Sequence, residues 1–163
     1  MPSAIRLLVL DVDGVLTDGR LYFGTRGEAL KVFDVRDGHG IVQLQGGGTN
    51  VAVISRRRSP MVAARCRELG VRYLYQGVAD KLGVFARLCV RLGLTPAACA
   101  VVGDDLPDVP LMRAAALSFA VADAHREVRR VADIVTRLPG GRGAVREVCD
   151  HLLALRARKA RVR

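Results

Sequence analysis

The run Leu7-Leu8-Val9-Leu10-Asp11-Val12-Asp13-Gly14 leaves few options for a chain that contains it. Four apolar residues in a row read as a strand buried on both faces. The strand closes in two carboxylates one residue apart, with Gly14 directly after them. Such carboxylates share a face only while the pleat lasts. Like charges that close repel, and burying them unpaired is expensive. A divalent cation at the strand's carboxyl end resolves the conflict. Mg²⁺ suits a site made of one or two carboxylates, a backbone carbonyl and waters. Gly14 lets the backbone bend sharply at that point.

A chain of 163 residues, half of them hydrophobic, is enough for one domain with a sizeable core. No apolar run approaches the length of a membrane span. Met1 to Arg6 precede only four apolar residues before Asp11, which does not fit a secretory signal, so a cytoplasmic location is expected. Cys66, Cys89, Cys99 and Cys149 lack zinc-like or CxxC spacing and read as buried free thiols. Lys and Arg outnumber Asp and Glu by 26 to 16, a net charge of +10. Half of the acids nevertheless fall in three short segments: Asp11, Asp13 and Asp18; Asp34 and Asp37; Asp104, Asp105 and Asp108. A basic protein with a concentrated acidic pocket fits a metal-dependent enzyme acting on anionic substrates. Aromatic residues make up only 4% of the chain, which argues against a base-stacking nucleic-acid module.

Strand-like and helical patterns alternate along the chain. β-prone runs at 20–23 and 29–33 flank Gly24-Thr25-Arg26-Gly27-Glu28 and predict a hairpin. Asp37 or Gly38 begins a helix through Leu44, which Gly46-Gly47-Gly48 ends. Strands are expected over 50–54, 71–75, 99–102, 117–121 and 133–135. Helices are expected over 59–69, 80–92, 108–115, 124–131 and 144–155. This alternation predicts an α/β domain over 1–155, a parallel sheet with helices on both faces and a protruding hairpin over 20–33. Residues 156–163 carry five cations in eight positions and read as a flexible basic tail. In such sheets ligands bind beyond the carboxyl ends of the strands. Asp11, Ser55 and Asp104 each stand at such an end, so three polar clusters converge on one edge. Lys81 opens a helix, where a cation is disfavoured unless anionic groups lie nearby. Asp108 either joins the acidic cluster or caps the helix that follows.

The run Asp11-Val12-Asp13-Gly14-Val15-Leu16-Thr17-Asp18-Gly19 resembles the first motif of the haloacid dehalogenase superfamily. Ser55, Lys81 and Gly103-Asp104-Asp105-Leu106-Pro107-Asp108 fall where its later motifs fall. Arg36-Asp37-Gly38-His39-Gly40-Ile41, Leu74-Tyr75-Gln76-Gly77, Ala120-Val121-Ala122-Asp123-Ala124-His125 and Gly140-Gly141-Arg142-Gly143-Ala144-Val145-Arg146-Glu147 narrow the likeness to its small, capless branch acting on sugar-acid phosphates. The resemblance covers Ile5 to about Leu155. It implies a Rossmann-like core without a cap domain, and Asp11 as a nucleophile that becomes an aspartyl-phosphate. Asp13 is then the general acid and base, and Ser55 and Lys81 stabilise the transferring group. Mg²⁺ is held by Asp11, the backbone carbonyl of Asp13 and Asp104, with Asp105 and Asp108 in the metal's outer shell. Arg57, Arg65 and Arg142 are the candidates for binding a substrate carboxylate. The implied substrate is an anionic sugar phosphate, an octulosonate 8-phosphate (KDO 8-phosphate) of lipopolysaccharide precursor synthesis or, as a rival, a nonulosonate (KDN or sialic acid) 9-phosphate. The implied assembly is a homotetramer in which four hairpins pair around a symmetry axis. Arg56 departs from the branch, which has Gly there.

Two other classes share some of these features. A signalling receiver domain also has clustered acids, a phosphorylated Asp and a Lys, but its acceptor lies mid-chain rather than on the first strand. The basic tail suits nucleic acid only if its charges act together, and a solvated tail is the simpler expectation.

Overall fold

The computed structural model describes residues 5–161. Its elements are β1 (Leu7–Leu10), β2 (Tyr22–Gly24), β3 (Gly27–Leu30), α1 (Val35–Gly46), β4 (Asn50–Ile54), α2 (Pro60–Glu68), β5 (Tyr73–Tyr75) and α3 (Lys81–Leu92). There follow β6 (Cys99–Gly103), α4 (Val109–Ala114), β7 (Leu117–Ala120), α5 (Arg126–Val131), β8 (Ile134–Val135) and α6 (Ala144–Arg161). Six strands form one parallel sheet in the order β5-β4-β1-β6-β7-β8. β2 and β3 make the separate antiparallel hairpin. The expected α/β plan with a projecting hairpin is present.

The sheet's centre explains why its strands read as continuous apolar runs. Every residue of β1 is buried, as is every residue of Val51–Ile54 in β4 and all of β6. Strands covered on both faces have no polar side to present. One covering set pairs α1 with α6; in the other, α4 touches both α3 and α5. Truncating a residue such as Leu10 to Ala would cost about 2–5 kcal/mol, because the rigid surroundings close the hole only in part. The register then fixes the site. Leu10 lies opposite Val53 on one side and Val102 on the other. Asp11, Ser55 and Asp104, each one or two positions further on, therefore emerge together at the carboxyl edge.

Local chemistry shifts several expected boundaries. α1 begins at Val35 rather than at Asp37 or Gly38, because the Asp34 carboxylate accepts from Arg36 N at 2.7 Å and caps the helix there. The hairpin strands are shorter than expected and turn through Thr25-Arg26; Gly27, with φ of 105°, supplies the left-handed backbone. A register shift at Tyr22/Phe23 limits the pairing further. α6 does not stop at Leu155 but continues to Arg161, so most of the segment read as a flexible tail is helix. Arg156-Ala157-Arg158-Lys159-Ala160-Arg161 contains only good helix formers and no breaker. Residues 162 and 163 of that tail lie outside the described residues. All four cysteines are free and buried, as expected. Among the described residues no helix is long and apolar enough to cross a membrane.

Candidate active site

The chain leaves β1 at Asp11 and coils tightly. The amides of Val15, Leu16 and Thr17 all point at the carbonyl of Val12, at 3.1, 2.9 and 3.1 Å. Thr17 Oγ1 accepts from Gly14 N at 3.3 Å and from Gly19 N at 3.2 Å, which pins both ends of the coil. Gly14 has φ of 90°, and a Cβ there would collide with the Asp104 carboxylate. Glycine is thus needed twice over, for its backbone angle and for the approach of a second acid. The loop at 139–143 is seated against this coil. Gly141 N donates to Val15 O at 2.9 Å, and a Cβ on Gly140 would strike the carbonyl of Gly14.

Asp11 is fixed by Val12 N, which donates to Oδ1 at 2.7 Å, and by Lys81, whose Nζ is 3.0 Å from Oδ2. Lys81 is the first residue of α3, which Asp80 caps by accepting from Gly83 N at 2.9 Å. Its ammonium also reaches Asp108 Oδ1 at 2.8 Å. The other Asp108 oxygen accepts from the amides of Asp104 at 3.1 Å and Asp105 at 3.4 Å. Asp108 therefore joins the charge cluster and ties the loop after β6; it does not cap α4, where its side chain makes no capping hydrogen bond. Asp11, Asp104 and Asp108 each bring a carboxylate oxygen within 4.8 Å of the others.

Three carboxylates face one lysine, and this imbalance defines the site. Burial and then the Asp11 charge push the Asp104 carboxyl up to about 8. Burial and the Asp108 charge push Asp11 to about 6, although Lys81 opposes them. Burial alone would lower Lys81, but Asp11 and Asp108 more than offset it and hold its ammonium above the usual lysine value. Asp104 Oδ1 is buried without a hydrogen-bond partner. A hard divalent cation satisfies all of this at once: it takes oxygen ligands, neutralises the surplus charge and occupies the orphaned oxygen. The donor set fits Mg²⁺.

The remaining candidates divide. Ser55 is buried just past β4, and its Oγ accepts from Arg57 N at 3.3 Å. Asp13 lies outside the three-carboxylate cluster and makes ion pairs with Lys31 and, at 3.7 Å, with Arg57. Arg57 also stands 3.5 Å from Glu28. Arg142 belongs to the loop seated on the coil after Asp11, and its carbonyl accepts from Arg36 at 3.4 Å. Arg65 and Asp105 are not brought to the cluster. Arg65 binds Glu68 at 2.9 Å and the carbonyl of Asp34 at 3.5 Å, tying α2 to the start of α1. Asp105 is exposed, and its carboxylate accepts from Leu106 N at 2.8 Å as a cap. Sequence reasoning missed Glu28 and Lys31 altogether. Their spacing of three places them on opposite faces of an ideal strand, and only the chain's departure from β3 after Leu30 brings them together.

A capless parallel core with this edge defines a class. The sequence profile of the haloacid dehalogenase-like hydrolases matches residues 70–145, and the chain belongs to that family. The 3-deoxy-D-manno-octulosonate 8-phosphate phosphatase KdsC of Escherichia coli K12 is 54% identical over 149 residues, which span 91% of this chain and 79% of the relative. The crystal structure of the phosphatase of that name from Yersinia pestis superposes with a TM-score of 0.91 at 50% identity, covering 93% of this chain and 82% of that one. A third relative, from Moraxella catarrhalis, was solved in complex with magnesium, phosphate and KDO. It gives a TM-score of 0.90 at 40% identity over 93% of this chain and 87% of its own.

Proposed function

We propose that this protein hydrolyses KDO 8-phosphate to KDO and inorganic phosphate with Mg²⁺ as cofactor, in the synthesis of lipopolysaccharide precursors. The carrying observation is the set of three carboxylates around Lys81 at the sheet edge, in a chain 54% identical to KdsC. Asp11 attacks phosphorus in line with the departing sugar oxygen and becomes an aspartyl-phosphate. Asp13 gives a proton to that oxygen, then takes one from the water that releases phosphate and restores Asp11. Lys81, already between Asp11 and Asp108, and Ser55 offset the charge on the transferring group. Asp11, Asp104 and the carbonyl of Asp13 would hold Mg²⁺. When bound, the ion neutralises the carboxylates and polarises a phosphoryl oxygen. Arg57 and Arg142 are left to meet the sugar's carboxylate.

Phosphate release over a panel of sugar-acid phosphates, with and without Mg²⁺, tests this reading. KDO 8-phosphate should give the highest kcat/KM, and chelation should remove activity. Preference for a nonulosonate 9-phosphate would move the protein to the rival substrate. Arg56, in place of the branch's Gly, bears on turnover in the same assay.

The assembly that fits is a homotetramer. Leu21, Phe23, Leu30 and Val32 all stand exposed on the hairpin of a single subunit, with Phe23 65% and Val32 53% accessible. Such a ribbon needs a partner surface, and a neighbour seated there would shield a site that has no cap domain of its own. Light scattering measures this directly. Four buried free thiols suit a reducing compartment, the cytoplasm.

A further inference from the structure

Asp13 is held differently from the acids around Lys81. Val12 N fixes Asp11, and the amides of Asp104 and Asp105 fix Asp108. The Asp13 side chain receives no backbone donor among the described residues. Its hydrogen bond comes from Lys31 Nζ, on Oδ1. Lys31 directly follows β3, and its side chain is 1% exposed. Its second anion is Glu28, 2.9 Å away. Arg57 closes the group from the loop after β4, 3.7 Å from Asp13 Oδ2 and so beyond hydrogen-bond range. Burying an ammonium is costly unless it is paired, and among the described residues Lys31 has its anions on Asp13 and Glu28. The ion pair therefore fixes the side chains at both of its ends.

We propose that Lys31 is the positioning residue for Asp13: by occupying Oδ1 it fixes the rotamer and leaves Oδ2 to carry the proton. The inference rests on the reading in which Asp13 serves as acid and base. There the O–H of Asp13 gives its proton to the ester oxygen as the P–O bond breaks and the Asp11–phosphorus bond forms. The resulting carboxylate then removes a proton from water, whose oxygen attacks phosphorus and frees Asp11. Both steps need one oxygen within hydrogen-bond reach of a moving proton. The hairpin thus aims the proton-transfer group, and its seating is coupled to chemistry through one ammonium.

Lys31→Met keeps the length of the side chain and removes the charge. On KDO 8-phosphate, whose alkoxide must be protonated to leave, kcat should fall about 100-fold with KM within about threefold of wild type. p-Nitrophenyl phosphate needs no proton to expel its phenolate. With it, the variant should release one equivalent of nitrophenolate per subunit in a burst and then turn over slowly, because dephosphorylation of Asp11 still needs the base. Lys31→Arg should recover most of the loss, and in a crystal structure of Lys31→Met the Asp13 carboxylate should leave its place. A raised KM at unchanged kcat would make Lys31 a substrate contact instead. Equal losses on both esters without a burst, or an undisturbed Asp13, would likewise overturn the assignment. Wild-type protein inert to every phosphate ester would remove the functional reading, while the place of Asp13 in the Lys31→Met structure still decides the positioning claim.

Discussion

At the carboxyl edge of the sheet, Asp11, Lys81, Asp104 and Asp108 are set by segments that the core holds rigidly, whereas the hairpin over 22–30 rests on strands of three and four residues and a handful of charges. The edge is apolar beneath and charged above. The hairpin keeps Glu28 and, just past it, Lys31 inward and shows its apolar side chains to solvent. A two-stranded ribbon is marginal alone. The edge therefore draws its order from the buried core, whereas the hairpin draws its own from ion pairs and leaves its apolar side chains exposed in the single subunit. Each perturbation below strikes one region and spares the other.

The largest effect belongs to the edge. Asp11→Asn keeps the size of the side chain but lacks a nucleophilic carboxylate, so turnover should drop at least about a thousandfold with the fold intact. Steady-state assays beside circular dichroism measure both, and activity at a few per cent of wild type would move the nucleophile elsewhere. Asp104→Ala comes next. It removes the acid whose Oδ1 has no partner, so the Mg²⁺ concentration for half-maximal activity should rise roughly tenfold or more. In metal-free buffer the same change relieves repulsion and should raise the thermal midpoint. An unchanged Mg²⁺ titration would place the ion away from Asp104.

The hairpin should respond in size before it responds in rate. Leu21→Lys with Val32→Lys should convert a tetramer into a subunit of 17.6 kDa and lower activity severalfold, although neither side chain performs chemistry. Light scattering coupled to the phosphate-release assay reads both quantities. A fully active 17.6 kDa species would mean that the edge works without its cover.

The two regions also differ in how far the sequence discloses them. β1, Val51–Ile54 of β4, and β6 are apolar throughout because they are buried on both faces, and each is followed by a polar residue at the site, so Asp11, Ser55 and Asp104 could be placed on one edge from pattern alone. Asp108 was legible as a cluster acid, but its hold on the loop after β6 and its pairing with Lys81, which arrives from α3, are set by tertiary structure. Arg65 was a candidate substrate ligand only as one of three available cations; its actual partners, Glu68 and the carbonyl of Asp34, depend on how α2 packs against α1. Glu28 and Lys31 were invisible because strand periodicity separates them. Charged residues carry no period of their own, so their partners are set by tertiary structure.

The smallest effect on catalysis should come from Asp37, a buried carboxylate outside the three-carboxylate cluster and so a control for what burial does without a cation. Oδ1 accepts from Arg146 N at 2.8 Å, at the start of α6, and Oδ2 is buried without a partner. Burial is the main cause that pushes this acid up to about 6; Asp34 adds to it, while the amides of Arg146 and Gly143 and the Arg36 charge oppose. Nearby, burial and then Asp37 hold the Cys149 thiol up at about 12, so it stays neutral throughout. An acid whose folded pKa lies above its unfolded value favours folding where it is protonated in the native state. That contribution is complete below about pH 4, fades as pH rises towards 6 and is absent above. Asp37→Asn carries no charge at any pH. Its stability relative to wild type should therefore increase between pH 4 and pH 7 by on the order of 3 kcal/mol, with kcat within about twofold. Any fixed cost of an imperfectly bonded amide cancels in that difference. Urea unfolding at the two pH values is the measurement, and parallel pH profiles for the two proteins would show that Asp37 is ionised at no cost, so that burial alone would not account for the raised acids at the sheet edge either.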